Sequence, residues 1–449
     1  RKKMSSRFSS SRRTLAISAS AALVALGLVG CSADSSPSAD QSSPSSGEEA
    51  VAAMKPLTVM SQWGADAEGV ILEELIADYE KATGNTVELT VVAGDGADVK
   101  RTYEASVLAG EEPDVIFTNM FASTVNWVSD GATVPVDKYL AEWGLDSVIR
   151  KGAVGVWDSP DGLRGFPYSG LQWPVWFNTA LLEQAGVSKV PETTPELVSA
   201  AKKLRSSGIK PFAIGGNDWS GTKLFLQMVS GFLDEDSTKD LLTNGGFCEN
   251  PAAMKGIDLV LDLVAEGVFV DDAQGLSYEQ MTAMYQDGQA AIMYTGQWAF
   301  GGVTDELAST TTFTGFPKSP ENVWPLPTSY NSENGVGLHI SNNGVENIAA
   351  VEPFVKLLFS KEYVSAFAVR SSVVPVVEAE YVDPTGASDL FIQSVVELPT
   401  KVSYIPMPDD HMPGTVISAM PAAVSLAFTP GSDRNKVCSA VDSIYASAG

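Results

Sequence analysis

Strand-like apolar runs alternate with amphipathic helical segments from residue 57 onwards, and this alternation restricts the fold more than any other feature of the chain. The first block holds three predicted strands and two predicted helices, at 57–60, 68–83, 87–92, 99–109 and 114–117. Gly84 provides the stop signal of the first helix. A βαβαβ order predicts a mostly parallel sheet covered by helices on both faces, so we expect an α/β fold.

A second alternating block begins near Trp173. Its predicted strands lie at 175–178, 212–214 and 290–294, and its predicted helices at 196–206, 223–232 and 254–266. A strand at 336–341 then precedes a helix at 348–359, and the C-terminal part is predicted to be helical. Residues 56–449 are long enough for about two to three domains, and they contain no internal repeat.

The first 31 residues have the pattern of a secretion signal. Six Lys and Arg residues, with no acidic residue among them, precede an apolar stretch at 15–29 that is short and rich in Ala and Gly. Gly30-Cys31 resembles a bacterial lipobox, which implies cleavage before Cys31 and attachment of lipid to it. We therefore expect a signal peptide at 1–30, and a lipidated cysteine with a Ser-rich tether at 31–55. The alternative is an ordinary signal peptide with a chance cysteine.

Charge excludes some classes of partner. The chain has a formal net charge of −26, and without residues 1–30 it has 23 basic and 55 acidic residues, a net charge of −32. Nucleic acids and anionic bilayers both select basic surfaces, so we expect membrane attachment through the lipid alone and no nucleic-acid partner. If Cys31 carries lipid, Cys248 and Cys438 are left, either as a disulfide in an oxidising compartment or as two buried thiols.

Four segments, in order, resemble the sugar-binding family of solute-binding proteins of ATP-driven importers that includes maltose-binding protein. One of them, 284–298, resembles the family signature F-x-x-G-x-A-A-M-x-x-x-G-x-W, with Tyr285 and Ile292 in place of the usual Phe and Met. The others are 112–116, 165–168 followed by 176–178, and 335–341. The resemblance implies a receptor without catalytic residues or cofactor, expected to be a monomer, that passes a carbohydrate to membrane permease subunits.

The same resemblance implies an α/β, two-lobed periplasmic-binding-protein fold (type II) with hinge-linked lobes. We expect one lobe at 56–168 plus 318–360 and the other at 169–317 plus 361–449. The chain is expected to cross between them near 167–172, 313–319 and 359–365. Ligand would then be held in the cleft between the lobes, which close about the crossings.

Sugars offer hydroxyl groups that need polar partners and C–H faces that pack on aromatic rings. Candidate ligand-binding residues are therefore aromatic and polar side chains at predicted strand ends, crossings and loops, although most tryptophans serve only in packing. Trp298 is supported by the resemblance, which places a stacking ring at the Gly-x-Trp position. The full set is Gln62, Trp63, Asp66, Asn119, Tyr168, Gln172, Trp173, Trp219, Gln297, Trp298, Arg370 and Asp410.

The sequence leaves two other classes of function as alternatives. A surface-anchored sugar hydrolase could use paired carboxylates, but no pair is singled out, and the G-x-S-x-G, H-E-x-x-H and Walker motifs are missing from the sequence. A solute-binding protein for a polyamine, peptide or metal chelate is the other alternative. We expect no metal site. The two histidines, His339 and His411, lie far apart in the sequence. The acidic run at 234–236 resembles the start of a calcium-binding loop, but Lys239 stands where such a loop needs glycine.

Overall fold

The computed structural model describes residues 55–64, 66–94, 96–119 and 124–448. The predicted signal peptide, Cys31 and nearly all of the tether lie outside this part of the chain. No helix in the described part combines the length and the apolar character needed to cross a membrane.

The described residues contain thirteen strands and eighteen α-helices. The strands are β1 (Leu57–Ser61), β2 (Val87–Val91), β3 (Val115–Thr118), β4 (Phe166–Pro167), β5 (Ser169–Trp173), β6 (Val175–Asn178), β7 (Lys210–Ala213), β8 (Ala290–Tyr294), β9 (Thr311–Thr314), β10 (Thr328–Ser332), β11 (Gly337–Ile340), β12 (Val374–Pro375) and β13 (Ser403–Ile405). The helices are α1 (Ala67–Thr83), α2 (Gly96–Ala109), α3 (Asp137–Glu142), α4 (Lys151–Trp157), α5 (Thr179–Gln184), α6 (Thr194–Ser206), α7 (Trp219–Ser230), α8 (Glu235–Asn244), α9 (Pro251–Ala265), α10 (Tyr278–Gln286), α11 (Asp305–Thr310), α12 (Asn342–Glu346), α13 (Ile348–Leu358), α14 (Lys361–Ser371), α15 (Asp389–Ile392), α16 (Pro408–His411), α17 (Gly414–Val424) and α18 (Arg434–Ala448).

The first block of the sequence forms the expected sheet. Its strand order is β2-β1-β3-β11-β4, and β1 runs parallel to both β2 and β3. Between these strands, α1 begins where the Asp66 side chain accepts a hydrogen bond from the amide of Gly69, 2.9 Å away. It ends at Gly84, whose φ of 70° favours glycine. The prediction of a parallel βαβαβ unit is confirmed.

One extended segment, residues 166–178, contributes a strand to each of three sheets. β4 lies at the edge of the first sheet, β5 joins the sheet β12-β5-β10-β13, and β6 lies within the sheet β7-β8-β6-β9. The first and third sheets each carry their own hydrophobic core, the first with α1, α13 and α14, and the third with α6, α7, α9, α17 and α18. Segment 166–178 therefore connects the two cores at the place where the sequence predicted the first crossing.

Two stretches of the chain pack in a different core from the one that the predicted lobe boundaries assign to them. Residues 318–327 lie against the third-sheet core. The indole N–H of Trp324 donates to the carbonyl of Leu233 over 2.9 Å, and the backbone N–H of Lys318 donates to the carbonyl of Glu192 over 2.8 Å. Helix α14 packs in the first-sheet core, where the ring of Phe367 lies 5.0 Å from that of Trp63, tilted by 34°. The sequence did not predict α14 and placed a crossing between the lobes at 359–365, whereas α14 (Lys361–Ser371) continues in the first-sheet core.

The structure joins Cys248 and Cys438 in a disulfide, with the two Cα atoms 5.1 Å apart and 190 residues between them in the chain. The bridge fastens α18 to the segment that precedes α9. Asp442 on α18 reinforces this contact, since its carboxylate accepts hydrogen bonds from the amides of Phe247 and Cys248 at 2.8 and 2.9 Å.

Removing this disulfide is expected to destabilise the fold. A Cys248→Ser/Cys438→Ala variant should lose about 2 kcal/mol of unfolding free energy, because the cross-link no longer restricts the unfolded chain. Urea unfolding with and without reductant measures the loss. The reduced natural protein serves as control and should unfold together with the variant. A variant as stable as the oxidised protein would contradict this role.

His339 on β11 is expected to make the fold sensitive to acid. Its ring is buried between Trp127 and Trp157, and its Nδ1 lies 2.8 Å from the carbonyl oxygen of Arg164. Burial lowers the pKa of His339 to about 4. As the pH falls from about 6.5 to 4, the unfolded chain takes up a proton at this position and the folded chain does not, so stability is lost.

The measurement compares urea midpoints at pH 7 and pH 4.5 for the natural protein and for His339→Gln, which has no titrating ring. The natural protein should lose more stability over this interval than the variant. Equal losses in both proteins would show that His339 does not cause the acid sensitivity.

Candidate ligand-binding site

Four aromatic side chains from separate parts of the chain meet at the ends of their elements, and we call Trp173, Trp219, Tyr278 and Trp298 the aromatic wall. The ring of Trp173 lies 4.8 Å from that of Trp298 at 90° and 5.7 Å from that of Trp219. Tyr278 lies 4.6 Å from Trp219, tilted by 35°. Trp173 is 3% exposed and Trp219 is 36% exposed, so the wall extends from the interior to the surface.

Local sequence explains why these rings stand at element ends. Trp219 is the first residue of α7, and the Asp218 side chain caps that helix through the amide of Ser220 at 2.8 Å. Trp298 lies in a 3₁₀ turn, Gln297–Gly302, which follows β8. A Cβ atom at Gly296 would lie 2.0 Å from the indole of Trp298, so the glycine of the Gly-x-Trp motif is required for the ring to fold back over the chain.

The indole N–H groups of Trp298 and Trp173 differ in whether they have a hydrogen-bond acceptor. The Nε1–H of Trp298 donates to the hydroxyl oxygen of Tyr278 over 2.9 Å. Burial raises the pKa of Tyr278, so its phenol stays protonated. The Nε1–H of Trp173 is buried and has no acceptor among the described residues. A buried donor without a partner is costly, and a ligand hydroxyl is one group that satisfies it.

A buried lysine lies behind the wall. Lys223 is one helical turn beyond Trp219 on α7, is 4% exposed, and places its Nζ 5.7 Å from the centre of the Trp173 ring. It forms an ion pair with Asp409 on α16. Burial lowers the pKa of Lys223 to about 7, and the nearby Asp410 carboxylate opposes that shift. The positive charge is therefore already compensated within the protein.

Asp410 holds the segment that follows β10. Its carboxylate accepts hydrogen bonds from the Asn334 amide and, over 3.2 Å, from the Ser332 hydroxyl. Between these two residues, Glu333 faces the other way and pairs with Arg150 beside the first-sheet core at 2.6 Å. Burial raises the pKa of Asp410 to about 6. The predicted ligand residue Asp410 thus has a structural task, while the Oδ1 of Asn334 is buried without a partner in the described part of the chain.

Gln172 and Gln297, both predicted to bind ligand, lie next to the wall and contact each other. The side-chain oxygen of Gln297 accepts the backbone amide of Gln172 at 3.0 Å, and the side-chain oxygen of Gln172 accepts the Tyr404 hydroxyl at 2.9 Å. Their oxygens therefore fix the end of β5, and with it the ring of Trp173.

Trp63 and Tyr168 form a second aromatic group, beside the first-sheet core. Trp63 is 5% exposed and packs on Phe117 and Phe367, 5.1 and 5.0 Å away, so it serves as core packing. The Tyr168 hydroxyl and the Oε1 of Gln62 are buried without partners in the described residues. Helix α14, which carries Phe367, also contacts the 3₁₀ turn of Trp298.

Three further predicted ligand residues, besides those of the second aromatic group, are not brought to the wall. Arg370 is exposed on α14 and forms two bonds of 2.5 and 2.8 Å to Glu74 on α1, so this structure pairs it within the protein, and its role as a ligand residue stays a prediction. Asp66 caps α1 through its side chain. Asn119 is exposed directly after β3, beside residues 120–123, which lie outside the described part.

The sequence interpretation did not select Tyr278 or Lys223 as site residues. Each had a local signal that could have pointed to it. Tyr278 follows Ser277, which forms a capping box with Gln280, so it begins a helix just before the family signature. Lys223 lies four residues after Trp219, on the same face of a helix.

Comparisons with known proteins agree with this architecture. Residues 64–365 match the family model described as bacterial extracellular solute-binding protein. A crystal structure of a probable secreted solute-binding lipoprotein from Streptomyces coelicolor is 31% identical, with a TM-score of 0.76 over 88% of this chain and 99% of that one. This likeness confirms the predicted two-lobed, type II periplasmic-binding-protein fold.

Two curated relatives come from Rhizobium meliloti (strain 1021). A probable sugar-binding periplasmic protein is 27% identical over 259 residues, which are 56% of this chain and 60% of the relative. The sn-glycerol-3-phosphate-binding periplasmic protein UgpB is 26% identical over 162 residues, 34% of this chain and 38% of the relative. The chain thus matches well under two thirds of the length of either relative. On the family match and the shared fold, the chain belongs to the bacterial extracellular solute-binding proteins.

Proposed function

We propose that the protein is a lipid-anchored receptor that binds a sugar or oligosaccharide between its two lobes and delivers it to the permease of an ABC importer. The family and its relatives are solute-binding transport proteins and not enzymes. The aromatic wall is the observation that carries the sugar assignment. It offers ring faces for C–H surfaces, together with the buried Trp173 N–H, a donor that can pair with a hydroxyl group.

The charge balance behind the wall favours a neutral ligand over an anion. Lys223 is the basic group nearest to Trp173 in the contacts described above, and Asp409 and Asp410 already compensate it. A phosphate needs cationic partners that are free to pair with it. This argument favours a sugar over the glycerol phosphate that the name of one relative states. Polyamines, peptides and metal chelates are the alternative cargoes.

The first experiment is a titration of residues 55–449 with mono- and oligosaccharides, followed by tryptophan fluorescence and melting temperature. A ligand that packs on the wall changes the surroundings of its indoles, so binding should give a saturable fluorescence change. A ligand that binds only the folded protein should also raise the melting temperature by several degrees. Glycerol 3-phosphate should give no response. A response to glycerol 3-phosphate, polyamines or peptides but to no sugar would overturn the sugar assignment, and slow release of cleaved sugar would contradict a pure receptor.

The anchor and the delivery step need separate tests. Cys31, with Gly30 before it and a Ser-rich stretch after it, supports lipid attachment. Cells that make the Cys31→Ala variant should release the protein into the soluble fraction, whereas the natural protein should sediment with membranes. If the protein delivers its sugar to a permease, cells that lack the protein should no longer take up the sugar identified by titration. Light scattering tests the expected monomer.

A further inference from the structure

Two rings of the aromatic wall are tied together by Tyr278. Its hydroxyl oxygen accepts the Nε1–H of Trp298 over 2.9 Å, and its ring lies 4.6 Å from that of Trp219. Its backbone N–H donates to the second carboxylate oxygen of Asp218, whose first oxygen caps the helix that begins with Trp219. One residue thus links the start of α10, the start of α7 and the turn that carries Trp298.

Trp298 depends on this contact because the hydrogen bond to Tyr278 is directional, whereas the other neighbours of the ring offer ring or backbone surfaces. The 3₁₀ turn Gln297–Gly302 has no side-chain cap, and two glycines end it. The indole packs directly on Gly296, since a Cβ atom there would lie 2.0 Å from the ring. The orientation of the half-buried indole is then set by its packing on Gly296, by its ring contacts with Trp173 and Trp219, and by its hydrogen bond to Tyr278.

We infer that Tyr278 is a positioning residue that fixes the angle of Trp298 and so decides which face of that ring a sugar meets. The inference rests on the proposed function. Because the Trp298 N–H is used within the protein, Trp298 recognises ligand through its ring face alone. Trp173, whose N–H has no partner among the described residues, is the indole that offers a donor. Specificity between sugars that differ in one hydroxyl then depends on keeping these two roles separate.

The test is a double-mutant cycle with Tyr278→Phe and Trp298→Phe. Tyr278→Phe keeps the ring but removes the acceptor, and we expect it to weaken binding of the preferred sugar about three- to tenfold, the effect of one hydrogen bond. In the Trp298→Phe background the same change should have little effect, because there is no N–H left to hold. An equal loss in both backgrounds would overturn the inference, since Tyr278 would then act on the ligand directly.

Tyr285→Phe is the matched control. Tyr285 lies on the same helix, two turns further on, and its hydroxyl pairs with Thr311 at 2.9 Å, away from the wall. This variant should bind sugar as the natural protein does. A loss of binding as large as that of Tyr278→Phe would point to a general effect of helix α10 and would also overturn the positioning role.

A second readout needs no ligand and separates this inference from the proposed function. Near-ultraviolet circular dichroism reports the arrangement of the coupled aromatic rings. The spectral change caused by Tyr278→Phe should be larger in the natural background than in the Trp298→Phe background, whereas Tyr285→Phe, whose ring lies beside Trp176, should change the spectrum equally in both. If no sugar binds the natural protein, the proposed function fails, and the dichroism still decides whether Tyr278 positions Trp298. An unchanged spectrum in Tyr278→Phe, or an equal change in both backgrounds, would overturn the inference.

Discussion

Replacing Trp298 with alanine is expected to weaken sugar binding by about 2 kcal/mol, or roughly 30-fold, while the protein stays folded. The indole is half-buried and lies 4.8 Å from Trp173 and 5.9 Å from Trp219, so its loss removes the centre of the aromatic wall. Isothermal titration calorimetry with the sugar that gives the largest response measures the change.

Trp324→Ala is the matched control for this prediction. Trp324 is also half-buried, but its N–H donates to carbonyls at Ser230 and Leu233, beyond the opposite end of α7 from Trp219. The control should lose stability and keep its affinity for sugar. If Trp298→Ala binds as tightly as the natural protein, the wall is packing and not a binding surface.

Replacing Asp409 with asparagine is expected to lower the unfolding free energy by about 3 kcal/mol at pH 6, because it leaves a buried ammonium group without its partner. Lys223 is almost fully buried, whereas Asp409 is partly exposed, so the lysine bears the cost of a broken pair. Urea unfolding at fixed pH measures the loss. Glu321→Gln, which breaks the exposed pair with Lys255, should cost less than about 1 kcal/mol.

The difference between the natural protein and Asp409→Asn should depend on pH. The ion pair with Asp409 forms only when Lys223 is protonated. The stabilising effect of Asp409 is therefore complete below the pKa of Lys223 in the folded protein, which is about 7. It should decline as the pH rises through 7, where the ammonium group in the natural protein loses its proton. A difference that is small at pH 6, or that grows between pH 7 and 9, would show that Asp409 does not hold the charged form of Lys223.

Local signals predicted the elements well. Gly84 predicted the end of α1, and the spacing of Ile71, Leu72 and Leu75 predicted its buried face. Such features depend on neighbours within about four residues, and they are therefore readable from the chain itself. The Gly-x-Trp motif is of the same kind, since Gly296 and Trp298 contact each other directly. The capping role of Asp66 was not predicted, because the helix was expected to begin at residue 68.

Contacts between distant residues were harder to predict. Trp173, Trp219 and Trp298 were selected one by one, and their rings meet within 6 Å, but nothing local indicated that Tyr278 joins them. Arg370 had the right chemistry for a ligand residue, yet α14 packs on α1 and brings it to Glu74. A charged side chain pairs with whatever the tertiary structure places beside it, so its residue type alone does not predict its partner.

The sequence by itself determined the α/β class, the element ends, the wall tryptophans as candidates and, through motif order, the family. Those features rest on caps, periodicity and short motifs, whose energies come from residues close in the chain. Only the tertiary structure decided that Cys248 meets Cys438 and that Lys223 meets Asp409, in each case across more than 180 residues. It also decided which core α14 joins. These contacts depend on how separate elements pack together, and the apolar pattern of a single element is compatible with more than one partner.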